Sequence, residues 1–299
     1  MGQQIKGVAC AVGAGVCWGS MAVAAQYMLS QGGLTAVDLV AGRLLIAGVM
    51  LLLFEEFVMR RPVFAYFKDR KMFRDAVIYG LILMAAQATF FLSIAAANAG
   101  TAAIMVMTAP IFIIAWELFI HKCPPSKIQL LCLVLTFTGV VFLITKGDFS
   151  SIHMTWLGVF WGLVSAMAGA AGTVQPKHLI RKMPVNAVVG WGMTFGGIVI
   201  TLAFRPNFFA IDWTWQVAGS YLYMAVFGTL IAFVLYLSSV KYVSPTSASL
   251  LNCFEPLSAV FFSIVLLGVV VKPLEVLGAL LIFSAVFLLS WSAKRSENI

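Results

Sequence analysis

Polar and apolar residues in this chain come in blocks rather than alternating. Ten mostly apolar stretches, at about 7–29, 37–58, 74–97, 101–121, 127–146, 155–178, 185–204, 216–240, 246–268 and 272–292, are parted by short polar breaks. A bilayer core about 30 Å thick takes about 20 helical residues to cross. A backbone in lipid must also satisfy its own hydrogen bonds, which a helix does. The pattern therefore predicts an all-α membrane protein of ten transmembrane helices with almost no soluble mass. Inside the first block, Ala22-Val23-Ala24 has the small-residue spacing of a signal-peptidase site. That block is longer than a signal h-region, and the charge pattern requires it to stay, so it is read as a permanent span.

Composition agrees: 62% of the 299 residues are hydrophobic and 10% charged, against about 25% charged in soluble domains. This excludes an ordinary cytosolic globule, a disordered chain and a disulfide scaffold. The formal charge of +8 matters through its placement. The amino terminus, the even-numbered loops and the carboxyl terminus hold fifteen Lys and Arg, the odd-numbered loops hold Lys146, Arg205 and Lys272, and Arg43 lies inside the second block. Basic residues collect on the cytoplasmic side, so both termini are expected there, which ten spans allow. The basic residues form no stripe interleaved with aromatics, so no nucleic-acid partner is expected. The five cysteines form no CxxC pair and no Cys/His cluster and are read as small apolar residues, without metal or cofactor.

The chain also repeats itself. Thr101-Ala102-Ala103 and Ser247-Ala248-Ser249 each open an apolar block, and each is followed at the same distance by a proline, Pro110 or Pro256. The offset of 146 carries Val140-Val141 onto Val286-Phe287, and Gly7-Val8 matches Gly158-Val159. Two halves, 1–148 and 149–299, are expected. With an odd number of helices in each, they face opposite ways, a recurring plan of secondary transporters with the site near the midplane.

Short motifs carry a family resemblance across essentially the whole chain. Trp18-Gly19-Ser20 resembles the W-G-S of helix one in the EamA-type transporters of the drug/metabolite superfamily. Arg43, followed by Leu44-Leu45-Ile46-Ala47, is similar to that family's Arg-x-x-x-Ala in helix two, and Ala109-Pro110 and Glu255-Pro256 resemble its paired mid-helix prolines. The resemblance implies transport of amino acids or related metabolites, often as export, from a bacterial inner membrane. The chain departs where the family often has a glutamate at the end of helices four and nine: here stand Phe119-Ile120-His121-Lys122 and Leu267-Gly268-Val269-Val270.

A charge in a membrane helix costs about 2.5–3.5 kcal/mol at its centre and so needs a reason. Glu255 is expected roughly 14 Å into the ninth helix at 1.5 Å per residue, beside the helix-opening Pro256. It either binds a proton or cationic group, or caps the broken helix. Arg43, roughly 9 Å in from the other face, either holds a substrate carboxylate with its planar fork or pairs structurally. Pro110 and Pro256 meet at similar depth, and paired breaks point to a midplane site. Thr108, Asn252 and Glu255 lie within one turn of them. Trp18, Trp161 and Trp191 either wall a cavity or pack helices, and Gln87 and Gln175 either line a pathway or bridge helices. Glu117 is read as snorkelling at the interface, and His121 and His178 as surface residues. Gly162, Ala166 and the run Gly169-Ala170-Ala171-Gly172 are read as close-packing faces, and Trp213 and Trp215 as interfacial belt.

No phosphate-binding G-x-x-x-x-G-K-[ST] loop, H-E-x-x-H, nucleophile elbow, arginine ladder or selectivity-filter sequence is present. The expectation is a secondary transporter of small zwitterionic or amphipathic metabolites, working by alternating access in the lipid bilayer, with a proton as a candidate coupling ion. A carrier of small organic cations such as quaternary amines, with Glu255 as counter-charge among aromatics, is the second reading. A lipid translocase or a membrane scaffold is the third.

Overall fold

A computed structural model describes residues 3–31, 34–97, 99–148, 155–208, 211–267 and 272–296. The boundary expected between halves, at 148/149, adjoins residues outside that set, residues 268–271 lie outside it, and so do the side chains of Ala22, Val23 and His121. The described residues form helices and no strand. In order these are α1 (Gln3–Gln31), α2 (Ala36–Leu53), α3 (Arg70–Ala96), α4 (Ala99–Val106), α5 (Ala109–His121), α6 (Lys127–Thr145) and α7 (Trp156–Val174). There follow α8 (Val185–Phe204), α9 (Trp215–Ala225), α10 (Ala232–Ser239), α11 (Pro245–Leu251), α12 (Phe254–Leu267) and α13 (Pro273–Ser296).

Seven described segments are long and apolar enough to cross a membrane: Val37–Val58, Arg70–Ala96, Thr101–Ile120, Lys127–Thr145, Trp156–Lys177, Val185–Phe204 and Trp215–Ser239. A shorter apolar helix runs Pro273–Leu289. Of the other two expected spans, one is α1 and the other is broken into α11 and α12. Large apolar side chains such as Phe119, Leu202 and Phe287 stand 70–77% exposed, more outward apolar surface than a water-soluble monomer carries. The chain is an integral membrane protein.

Helix starts are set by short polar caps. Thr35 with Asp38, and Ser126 with Gln129, form reciprocal capping boxes on α2 and α6, which satisfy amide groups left open at a helix start. Two spans are interrupted. Between α4 and α5, Met107 and Thr108 turn, with Ile111 N–H bonded to Thr108 O at 2.9 Å; between α11 and α12, Asn252 and Cys253 turn, with Glu255 N–H bonded to Asn252 O at 2.9 Å. Pro110 and Pro256 sit in the first turn of the second piece, where a missing N–H costs nothing. A π-turn at Val226–Ile231 joins α9 to α10.

Small residues let the helices approach. Antiparallel α2 and α8 meet where Gly48 faces Gly190 and Thr194, and Gly197 faces Leu45. Antiparallel α6 and α13 meet at Gly139 and Gly278, with Cys132 Sγ 3.4 Å from Ala285 O. Helix α7 lies on α3, where Ser93 Oγ donates to Gly158 O at 2.7 Å and Ser165 Oγ to Ala86 O at 2.8 Å. Helix α1 lies between α10 and α12, with Gly7 on the α10 end and Gly15 and Gly19 on α12. Gly162, Ala166 and Ala170 form the buried stripe of α7 expected from their spacing, but Gly169 has open space before it.

Candidate functional site

Arg43, on the inner side of α2, is 2% exposed. One terminal nitrogen donates to Gln87 Oε1 on α3, and the other approaches Met21 Sδ on α1 at 3.1 Å. The guanidinium carbon stands 5.8 Å from the centre of the Phe91 ring. Its Nε has no partner. No carboxylate forms an ion pair with it among the described residues. Among the described residues this buried guanidinium has an amide, a thioether, a ring face and the nearby Tyr221 hydroxyl around it but no paired anion, which leaves it short of negative charge.

The interior carboxyl group is that of Glu255, in the first turn of α12. Its Oε2 accepts from Asn252 Nδ2 at 3.3 Å, and Asn252 Oδ1 is buried without a partner. Glu255 also forms no ion pair among the described residues. Both residues are reached from α1, where Met21 touches Arg43 and Gly19, two residues earlier, lies against the Glu255 backbone. The interior thus holds a guanidinium and a carboxyl group, both on elements packed against α1, with no ion pair between them among the described residues.

The local sequence explains how Glu255 comes to be beside α1. A Cβ on Gly19 would stand 2.5 Å from Glu255 O and 2.6 Å from Ser258 Cβ, and one on Gly15 would stand 2.8 Å from Phe254 Cβ. Only glycine allows this approach. Trp18, next to Gly19, packs on α10, its ring 5.1 Å from Phe233 and 5.4 Å from Tyr236. The Tyr236 hydroxyl bonds Thr173 Oγ1 at 3.0 Å and faces Ser249.

Of the residues singled out in the sequence, the structure joins Arg43 to Gln87 and Asn252 to Glu255, and stands Trp18 on the helix that touches Glu255. Pro110 and Pro256 are buried in the first turns of α5 and α12, and Thr108 Oγ1 donates back to Met105 O at 2.6 Å. Trp161 is half-buried on α7 against Phe160. Two others donate elsewhere. Gln175 Nε2 donates to Asp75 O at 2.9 Å. Trp191 Nε1 donates to Val63 O at 3.2 Å, its ring stacked on Phe195 and packed on Phe64 and Phe67. Met21, Phe91, Tyr236 and Thr173 were not foreseen; a tyrosine deep inside an apolar block was the available signal, since a buried hydroxyl needs a partner.

Both ends of the bundle are tied. At the end holding the α3 start and α7 finish, His178 Nε2 is 2.8 Å from Asp75 Oδ2, Lys177 Nζ is 3.8 Å from Glu117 Oε1, and Thr246 Oγ1 donates to Glu117 Oε2 at 2.8 Å. Glu117 and His178, expected as plain interfacial residues, are thus bridges between helices. At the other end, the Tyr221 hydroxyl donates to Asp38 O at 2.9 Å, Tyr223 bonds Ser20 at 2.7 Å and Lys146 pairs with Glu275 at 3.1 Å. A crevice of about 290 Å³ at the α6–α11 seam and an open groove of about 530 Å³ between α1 and α9 have neither Arg43 nor Glu255 in their linings.

A model of the EamA-like transporter family matches the chain twice, over residues 5–145 and 156–291. An uncharacterized inner membrane transporter, YicL of Salmonella typhimurium, is 34% identical over 99% of this chain and 98% of its own length. The uncharacterized transporter YoaV of Bacillus subtilis is 24% identical over 67% of this chain and 69% of its own, and protein PecM of Dickeya dadantii 27% identical over 63% and 64%. One crystal structure superposes with a TM-score of 0.79 at 13% identity, covering 97% of this chain and 98% of that one, a likeness of fold alone.

Proposed function

We propose that this chain, which belongs to the EamA-like transporter family, carries small metabolites bearing both a carboxylate and an ammonium group. It is a transporter rather than an enzyme. The observation that carries the substrate class is a pair of interior ionisable groups, Arg43 and Glu255, neither of which has an ion-pair partner among the described residues. A zwitterion between them supplies the missing anion to Arg43, whose fork suits a carboxylate, and the missing cation to Glu255 and the free Asn252 Oδ1. Trp18, Phe91 and Tyr236 wall the apolar part. A simple organic cation leaves Arg43 as short of charge as before, which favours the zwitterion.

The proposed architecture is ten spans in two inverted five-helix halves, 1–148 and 149–299, with both termini cytoplasmic. Three contacts recur under the offsets read from the sequence. Ser93 meets Gly158 as Ser239 meets Gly7; Met105 meets Gly162 as Leu251 shares a cluster with Ala11; Ile113 shares a cluster with Ala170 as Ala259 meets Gly19. Antiparallel crossings of α2 with α8 and α6 with α13 are what inverted halves require. The charge split of fifteen to three supports the orientation. In the proposed cycle the ties at each end open in turn around the charged pair, with a proton on Glu255 as coupling ion and export into the space outside the inner membrane. Uptake and counterflow of labelled amino acids in proteoliposomes test this; a Glu255→Gln protein that still responds to a pH gradient removes the proton from the account.

A further inference from the structure

The segment joining α2 to α3 is used by neither the charged pair nor the ties at the bundle ends. It is nevertheless held firmly. Helix α2 ends in a π-turn, Phe54–Val58, with Met59 N–H on Phe54 O and Arg61 N–H on Glu55 O. Arg60 then takes a left-handed conformation at φ 53°. Val63 is gripped from two sides: Glu56 Oε2 accepts its N–H at 2.8 Å, and Trp191 donates to its carbonyl. Such pinning fixes which side chains face out.

Those side chains make an unusual surface. Phe57, Val58 and Phe64 are 72%, 65% and 69% exposed. Six of the nineteen Lys and Arg lie between residues 60 and 74. Arg61 is paired with Glu55 and Arg74 with Asp75, while the exposed Arg60, Arg70 and Lys71 have no ion pair among the described residues. Apolar rings beside unpaired cations at the end of a membrane helix match the boundary between acyl chains and phosphates.

We infer that this segment is a binding site for the headgroup of an anionic phospholipid, with Arg60, Arg70 and Lys71 on the phosphates and Phe57, Val58 and Phe64 in the acyl layer. Trp191 acts as a positioning residue, because it holds the Val63 carbonyl. The inference does not depend on the transported substrate or on which face the segment occupies.

The test uses the full chain in nanodiscs of phosphatidylcholine, alone or mixed with phosphatidylglycerol. A ligand of the folded state raises Tm. The wild type gains several degrees from phosphatidylglycerol. The triple variant Arg60→Gln, Arg70→Gln, Lys71→Gln loses most of that gain while keeping its Tm in phosphatidylcholine, and Arg181→Gln with Lys182→Gln, on another basic loop, keeps the gain. If the triple variant itself lowers Tm in phosphatidylcholine, native mass spectrometry of Arg70→Gln reads retained phosphatidylglycerol directly and shows fewer bound molecules. A full gain in the triple variant, equal losses in both variants, undiminished retention by Arg70→Gln, or the same gain from inorganic phosphate alone overturns the assignment.

Discussion

The carbonyl oxygen of Glu255 stands 2.5 Å from where a Cβ of Gly19 would be. The Trp-Gly-Ser segment of α1 is therefore built against the backbone of the broken span, which fixes Trp18 and Glu255 on neighbouring helices. A glycine in a helix ordinarily weakens it; here it sets the distance between α1 and α12.

Gly19→Ala forces α1 off α12. Overpacking of this kind costs about 1–3 kcal/mol, and the displacement of Trp18 lowers transport as well. Gly169→Ala, where a Cβ meets nothing within 4 Å, is expected to stay within about 0.5 kcal/mol of wild type. Thermal unfolding in detergent compares the two; equal losses contradict the contact as drawn.

Arg43→Lys keeps the charge but not the planar fork that reaches Gln87, and Arg43→Gln removes both. Charge-assisted bonds contribute about 1.5–3 kcal/mol each, so Arg43→Gln weakens a carboxylate ligand by about ten- to a hundred-fold, with Arg43→Lys between. Gln87→Ala leaves the cation in place and costs less. Calorimetric titration of the three proteins gives the order directly, and an Arg43→Gln protein with wild-type affinity removes the arginine from the site.

Lys177 and His178 follow one another and bind carboxylates on two different helices, Glu117 on α5 and Asp75 on α3. These pairs are partly solvated and contribute at most about 1 kcal/mol each to stability. In the proposed cycle their effect is on opening. In a protein whose sole cysteine is Cys253, which is 1% exposed beside the Asn252 turn, Lys177→Gln with His178→Gln speeds thiol labelling severalfold without a large change in Tm. Unchanged labelling assigns the pairs to folding alone.

Pro110→Ala and Pro256→Ala restore an N–H in the first turn of α5 and α12, where no partner is needed. Both variants are expected to fold, within about 1 kcal/mol of wild type, and to transport more slowly, because a span able to close into one helix loses its central turn, at 107–108 in the first half and, beside Glu255, at 252–253 in the second. A transport rate unaffected by Pro256→Ala while Pro110→Ala abolishes it contradicts the equivalence of the halves.

The helices were legible because a lipid-facing span must be continuously apolar, which leaves blocks in the sequence. The breaks were legible to within a few residues because Pro110 and Pro256 cannot continue a helix: the turns fall at 107–108 and 252–253. Arg43 and Glu255 stood out because charge inside an apolar block has to be explained. What they face was not legible, since partners such as Gln87, Met21 and Tyr236 are distant in sequence and chemically ordinary. Trp191 shows the limit: buried tryptophan looks the same in sequence whether it walls a cavity or, as here, holds Val63 of a neighbouring loop.

The central claim, that Arg43 and Glu255 take opposite ends of one zwitterion, is tested most directly by thermal stabilisation of the purified protein with three matched ligands: an amino acid, its amide lacking the carboxylate, and the acid lacking the amine. The account predicts that the amino acid alone gives a full rise in Tm, that Arg43→Gln abolishes it, and that Glu255→Gln abolishes it too. A rise of the same size from the amide, retained in Arg43→Gln, contradicts the claim and makes the site one for a cation held by Glu255.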